Sequence, residues 1–266
     1  VSAIFILNTQ VAVALLSTIR DLHRRRARER RALTLVEGVR LLEEALAASV
    51  EIRGAAIGPG LEATSRGQAL KRRLADAGVP LEQVDDGELA RLADTEQPQG
   101  IVAVVALKGW SPGDLVLGPR SVILGLDGIQ EPGNVGALAR AALGLGASGL
   151  VALPGTADLL NPKALRGSMG AMFRLPSVRM TVEAFLDWTR SGGIAIWVAA
   201  TDGAPVLRPR PPAPVMLVVG NEGAGVRPEV VEAAARVVAV PLKGGVESLN
   251  VAVAAGILLY EVTRDG

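Results

Sequence analysis

Cysteine is absent from the 266 residues, histidine occurs once, and aromatic side chains are scarce. Without cysteine there is no disulfide and no thiolate-ligated zinc, which fits a reducing cytoplasm. The one histidine, His23, lies in a basic run, so His-built metal sites and Ser-His-Asp triads are also out, and no metal is expected. Aromatics make up 3% of the chain against 49% for all hydrophobic residues. The core therefore has to be assembled from Ala, Val, Leu and Ile. A long uninterrupted apolar run is missing too. Residues 1–19 are apolar, but Asn8, Thr9 and Gln10 divide them, and each piece falls short of the roughly 20 residues that a membrane span needs. Their positive charges follow the apolar stretch, the reverse of a signal peptide. These residues are expected to form a packed amphipathic helix that continues into a basic arm, with no membrane partner.

Net charge is nearly zero at +1, yet it is unevenly placed. Seven arginines (Arg20, Arg24, Arg25, Arg26, Arg28, Arg30 and Arg31) face only Asp21 and Glu29 within twelve residues, a local +5. Such a block marks an anionic partner, nucleic acid or a membrane surface, or else a solvated helix face.

From residue 33 onward strand and helix patterns alternate. Strands are predicted over 33–36, 52–57, 81–84 and 101–107, with helices over 38–48, 68–77 and 87–93. A polar, turn-forming stretch over 109–114 reads as a linker. A second series then begins: strands over 121–126, 150–153, 194–200, 215–219 and 237–240, with helices over 135–143, 162–169 and 228–235. A Pro-rich connector occupies 209–214. The alternation implies an α/β layer fold. Four parts follow: a helical basic arm over 1–31, an α/β domain over 32–108, a linker over 109–120, and a second domain over 121–266.

Gly144, Gly146 and Gly149 have the spacing of a dinucleotide fingerprint, but they follow a helix and precede a strand. The fingerprint requires the opposite order. These glycines more plainly end a helix, and no nicotinamide or flavin is expected.

Three other stretches carry the chemistry. In the first, a strand ends at Leu126-Asp127-Gly128, and Asn134 stands where it would cap the next helix. Arg140 lies two turns further on, where a long side chain leaning toward the helix N-terminus could reach back to that turn. In the second, Val218-Val219 runs into Gly220-Asn221-Glu222-Gly223-Ala224-Gly225. In the third, Val240-Pro241-Leu242 opens a glycine-rich loop that reaches Ser248-Leu249-Asn250. Ten almost wholly apolar residues follow and read as a buried helix. Ser248 or Asn250 could cap that helix, but capping needs only one of them.

Taken together, in this order and spacing, the three stretches resemble the motifs of the SpoU/TrmH family of RNA ribose 2′-O-methyltransferases in the SPOUT superfamily. The likeness extends to Arg166-Gly167-Ser168-Met169-Gly170, to Glu37-Gly38 and to Pro98-Gln99-Gly100. Glu131 stands where many members have Asp. The resemblance implies an α/β fold with a trefoil-knotted C-terminal methyltransferase domain and a smaller, ribosomal-protein-like, N-terminal α/β RNA-binding domain. It also implies a homodimer through the C-terminal domain. S-adenosylmethionine would be held by Gly220, Asn221, Glu222, Gly223, Val240, Pro241, Leu242, Ser248 and Leu249.

The expected activity is methylation of a ribose 2′-hydroxyl in structured RNA, with 23S ribosomal RNA as the first choice. Transfer RNA is the alternative acceptor, and a non-catalytic RNA-binding factor on the same scaffold is the alternative class. Asn134, Arg140, Glu222, Ser248 and Asn250 are the expected catalytic set. A guanidinium stays charged at any ordinary pH, so Arg140 is assigned a clamp on phosphate and developing alkoxide. Glu222 is either a base or positioning group or a loop-ordering acceptor. Arg24, Arg25, Arg26, Arg28, Arg30 and Arg31, with Arg140, are the expected RNA contacts.

Overall fold

The structure is a computed structural model that describes residues 13–206 and 214–264. The expected start of the first helix and the connector over 209–213 lie outside the described residues. The chain divides into two compact units. One takes the chain up to Lys108 together with Leu160–Phe173, and the other takes Gly109–Leu159 and everything from Arg174 on.

The first unit begins with a helix over 13–22 (α1), which breaks at His23 before α2 (Arg25–Arg31). A mixed four-stranded sheet follows in the order β1-β4-β2-β3, made of Leu33–Glu37 (β1), Glu51–Ile57 (β2), Leu81–Gln83 (β3) and Ile101–Ala106 (β4). β4 runs antiparallel to β1 and β2, and β3 pairs parallel with β2. Helices α3 (Val39–Ala47), α4 (Ser65–Asp76) and α5 (Asp86–Leu92) connect the strands. Thr64 and Asp85 start α4 and α5 by accepting hydrogen bonds from Gly67 and Glu88 amides, as N-caps do. Ile19 and Leu22 of α1 are fully buried against Leu35, Leu89, Leu92, Val102 and Val104. The amphipathic reading of α1 therefore holds where it is described.

Arg28 departs from its expected place among the RNA contacts. Its side chain is folded into the unit, 3% exposed, and donates to the carbonyls of Leu22 and His23. A buried guanidinium satisfied in this way is a structural group.

The second unit is built on a parallel sheet of six strands in the order β10-β8-β9-β5-β6-β7. They are Val122–Asp127 (β5), Gly149–Ala152 (β6), Ser177–Arg179 (β7), Ala195–Pro205 (β8), Val215–Gly220 (β9) and Arg236–Ala239 (β10). All six residues of β5 are buried and five of the six in β9, as expected for parallel strands covered on both faces. The helices are α6 (Pro132–Gly144), α8 (Val182–Ser191), α9 (Pro228–Glu232) and α10 (Val251–Thr263). The remaining helix, α7 (Pro162–Ser168), belongs to the first unit and packs on β1.

Three local expectations need correction. α6 starts at Pro132 with Glu131 as its cap, so Asn134 lies inside the first turn and its side chain is free for other partners. β7 and α8 are additional to the expected elements, with Thr181 capping α8 by accepting from the Ala184 amide. Finally, α10 is not buried all round. Val253, Ile257 and Tyr260 are 51%, 40% and 52% exposed, and their 4- and 3-residue spacing places them on one stripe.

Candidate active site

In an open parallel sheet, ligands bind beyond the carboxyl ends of the strands, where the strand order reverses. Here β6 and β7 lie on one side of β5, while β9, β8 and β10 lie on the other. The reversal falls between β5 and β9, and the motif loops leave from the carboxyl ends of those two strands and of β10.

Beneath the loops is a floor that neither strand makes alone. Asp127, the last residue of β5, is buried and accepts from the Arg227 amide at 2.8 Å and from its guanidinium at 2.8 and 2.6 Å. The same guanidinium donates to the Pro154 carbonyl at 2.7 Å. The carboxylate beside it raises the pKa of Arg227 further above its ordinary value. One arginine thereby ties the segments after β5, β6 and β9. Thr156 adds a second tie by donating to Leu126 and accepting from the Gly128 amide.

The loop after β9 is closed on itself. Asn221 bridges to Gly225 through the backbone, its side-chain oxygen accepts from the Gly223 and Ala224 amides, and its amide donates to the Gly128 carbonyl. Gly220 is required here, because a Cβ would lie 2.2 Å from the Gly225 carbonyl carbon. Glu222 is thus presented outward at the loop tip, exposed to solvent.

Three of the five expected catalytic side chains meet. The Asn134 amide donates to Glu222 Oε1 at 2.5 Å, and its oxygen accepts from the Asn250 amide at 3.2 Å. The Asn250 oxygen caps α10 by accepting from Ala252 and Val253. Asn134 therefore uses both ends of its amide, and its orientation is set by two loops distant in sequence. Ser248 is exposed in the third loop and outside this chain of hydrogen bonds. Arg140 is also outside it. Six residues at 100° each turn it about 120° away from Asn134 around α6. It is exposed, with no hydrogen-bond or ion-pair partner among the described residues.

In the third loop Pro241 and residues 243–248 are exposed, whereas Val240, Leu242 and Leu249 are half-buried. Gly244 and Gly245 both take φ 73° with open space about them, a conformation that glycine adopts without steric cost.

In the first unit, the basic arm is partly neutralised from within. Arg25 pairs with Glu29, and Arg30 and Arg31 with Asp21. Arg24 and Arg26 are exposed, and their side chains make no ion pair among the described residues. Sequence reasoning did not include Asp127 and Arg227. The end of a buried strand at Asp127 was the available signal for one of them, and nothing local marked its partner. Among the described residues no acidic or histidine cluster is placed to hold a metal, and no helix is long and apolar enough to cross a membrane.

Comparison with known proteins finds two family matches along the chain. Residues 121–260 match the SpoU rRNA Methylase family, and residues 16–103 match the MRM3-like substrate binding domain. The 23S rRNA (guanosine(2553)-2′-O)-methyltransferase RlmP of Bacillus subtilis (strain 168) is 33% identical over 246 residues, covering 91% of this chain and 93% of its own. Among solved structures, the SpoU methyltransferase AviRb of Streptomyces viridochromogenes in complex with AdoMet is similar with a TM-score of 0.81 at 28% identity, over 94% of this chain and 96% of that one. The AdoMet-bound rRNA methyltransferase of Sinorhizobium meliloti is similar with a TM-score of 0.79 at 27% identity, over 93% of each chain.

Proposed function

This chain belongs to the SpoU rRNA methylase family, and we propose that it methylates a ribose 2′-hydroxyl of ribosomal RNA at the carboxyl ends of β5, β9 and β10. The observation that carries this reading is the hydrogen-bonded series Asn250–Asn134–Glu222, drawn from the first turn of α6 and the loops after β9 and β10. Ribosomal RNA is preferred to transfer RNA because the similar AdoMet-bound structure from Sinorhizobium meliloti and the Bacillus relative are both rRNA methyltransferases, while other relatives carry the joint name tRNA/rRNA methyltransferase.

The residues present fit S-adenosylmethionine. Val240, Leu242 and Leu249 are half-buried apolar side chains bordering an exposed loop, suited to walling an adenine. Gly244 and Gly245 leave open space in which main-chain groups can meet its polar edge. Gly220, Asn221, Glu222 and Gly223 supply the facing loop. When bound, S-adenosylmethionine supplies an electrophilic methyl group, and the ribose oxygen gives up its proton as it takes that methyl.

The chain's own residues provide orientation and charge. Asn134 and Asn250 direct the ribose, with Ser248 as a further hydroxyl in the loop. Glu222 accepts from Asn134, which favours a positioning role for this carboxylate. Arg140 carries a guanidinium with no partner among the described residues, suited to the phosphate next to the reacting hydroxyl and to the developing alkoxide.

Two further parts of the reading follow from the family: the trefoil knot of the C-terminal domain and a homodimer through that domain. The homodimer is supported by the apolar stripe of Val253, Ile257 and Tyr260 on α10. Exposed apolar surface of this kind is costly in water and is usually covered by a partner. α10 packs on α6, the helix that carries Arg140. Ile257→Asp should therefore convert a dimeric mass in light scattering to a monomeric one, and an unchanged dimer would move the interface elsewhere. The function itself is tested by incubating the chain with ribosomal RNA and methyl-labelled S-adenosylmethionine, then digesting to nucleosides. Label on ribose is the expected result. Cofactor binding with no transfer to any ribosomal RNA would favour the non-catalytic class.

A further inference from the structure

The charge block most visible in the sequence is not the most available one in the structure. In the basic arm, Arg25, Arg30 and Arg31 are paired with carboxylates and Arg28 is buried on carbonyls. Another group of arginines stands on α3 and α4. Arg40 is exposed on α3, and Arg66, Arg72 and Arg73 are exposed on α4. The two helices pack together, joined by Arg66, which grips Glu43 of α3 at 2.9 and 3.0 Å through Nε and at 2.5 Å through Nη2. Arg40, Arg72 and Arg73 make no hydrogen bond or ion pair among the described residues. Seven residues separate Arg66 from Arg73, two turns of α4, which places them on one face about 10 Å apart.

Resting on the RNA-methylating reading above, we propose that the solvent-exposed surface of α3 and α4 in the first unit contacts phosphates of the RNA substrate, with Arg40, Arg73 and, about 120° round α4 from Arg66, Arg72 as its free guanidinium groups. Glu43 is the carboxylate gripped between the two helices, which also carry Glu44 and Asp76. Its carboxyl is held below its ordinary value, first by the hydrogen bonds from Arg66 and then by the fields of Arg66, Arg73 and Arg40. Arg73 and Arg40 are thus electrostatically close to it. Arg40, Arg66, Lys71, Arg72 and Arg73 against Glu43, Glu44 and Asp76 leave the two helices with a net charge of +2. The guanidinium groups are spread along two helices, so they suit a run of phosphates more than a single small anion. Each presents a planar fork of donors that matches a phosphate oxygen pair.

The test is the salt dependence of RNA binding, measured with the full chain and a ribosomal RNA transcript by fluorescence anisotropy. Each phosphate contact contributes a slope of roughly −0.7 to −0.9 in log affinity against log salt. The triple variant Arg40→Ala, Arg72→Ala and Arg73→Ala should therefore flatten the slope by about 2 units, leaving S-adenosylmethionine affinity unchanged. Arg190→Gln on α8 removes one positive charge elsewhere and serves as the control, with no comparable change expected. Glu43→Gln releases Arg66 from its carboxylate grip and should steepen the slope by about one contact and tighten binding. That gain also guards against a triple variant that folds poorly.

RNA binding with an unaltered slope in the triple variant would overturn this assignment while leaving the methyltransferase reading intact. A chain that does not bind ribosomal RNA at all would instead overturn the methyltransferase reading. Poly-glutamate competing as well as RNA, and losing its effect in the triple variant, would assign the face to an acidic polypeptide.

Discussion

The Asp127–Arg227 clamp predicts an asymmetry between its two halves. The Asp127 side chain is 3% exposed and that of Arg227 is 26% exposed. In Asp127→Ala, the orphaned guanidinium keeps the Pro154 carbonyl and can turn partly toward water. Its cost should resemble the loss of charge-assisted hydrogen bonds, about 1.5–2 kcal/mol. In Arg227→Ala, the carboxylate stays buried with only the backbone amide of residue 227 still donating to it. Removing one partner of a buried pair in that way costs about 3 kcal/mol or more. The double variant should cost less than the sum of the two, by on the order of 1–2 kcal/mol. All three tryptophans, Trp110, Trp188 and Trp197, lie in the second unit and belong to or border its core. Tryptophan fluorescence in urea therefore follows that unit without contribution from the first. Equal costs for the two single variants, or strict additivity in the double, would refute the clamp as described.

Arg140→Ala should abolish methyl transfer while cofactor affinity, read by calorimetry, stays nearly intact, because its guanidinium is assigned to RNA. Gly223→Val should weaken cofactor binding without unfolding the chain. A Cβ at Gly223 meets only the Asn221 side-chain oxygen at 3.5 Å. Gly220→Val, by contrast, should cost stability as well, since its Cβ would collide with the backbone at Gly225. The carboxyls of Glu43 and Glu88 are held below their ordinary value, first by hydrogen bonds from Arg66 and Arg20 respectively. Their contribution to the first unit is complete above the unfolded carboxylate value and fades as pH falls through the lower folded value. Glu43→Gln should accordingly make stability less sensitive to acid, measured by circular dichroism in urea between neutral pH and the acid limb.

Much of the fold was legible because parallel strands buried on both faces read as short apolar runs, as in β5 and β9. What escaped was short or long-range. β7 has three residues at a sheet edge, too few for any periodicity to show. α8 is punctuated only by Thr181 before it and Gly192-Gly193 after it. The beginning of α6 was placed at Asn134 because asparagine is a strong cap. Pro132 was the better marker, since proline suits the first helical position. For α10, hydropathy recorded that the helix is apolar, but it could not say which stripe this chain covers and which is left open. Arg28 looked like the other arginines of its run until its folding onto the carbonyls of Leu22 and His23 set it apart.

The candidate site divides along the same line. Its loops were recognisable as strand-end glycine-rich turns. Its pairings were not, because Asn134 meets Glu222 across 88 residues and Asn250 across 116, and Asp127 meets Arg227 across 100. No local pattern reports such distances. The spacing lets Arg140 reach back toward the turn at Asn134, and the structure places it about 120° round α6, with no partner among the described residues.

The central claim is that the acceptor atom is a ribose 2′ oxygen. It is tested most directly with two versions of a ribosomal RNA substrate, one natural and one carrying a single 2′-deoxy substitution at the methylated nucleotide. Both should bind alike, because phosphate contacts supply most of the affinity. The natural substrate should accept the labelled methyl group and the deoxy substrate none. Transfer to the deoxy substrate at the normal rate would contradict the account, since the methyl group would then have gone to another atom.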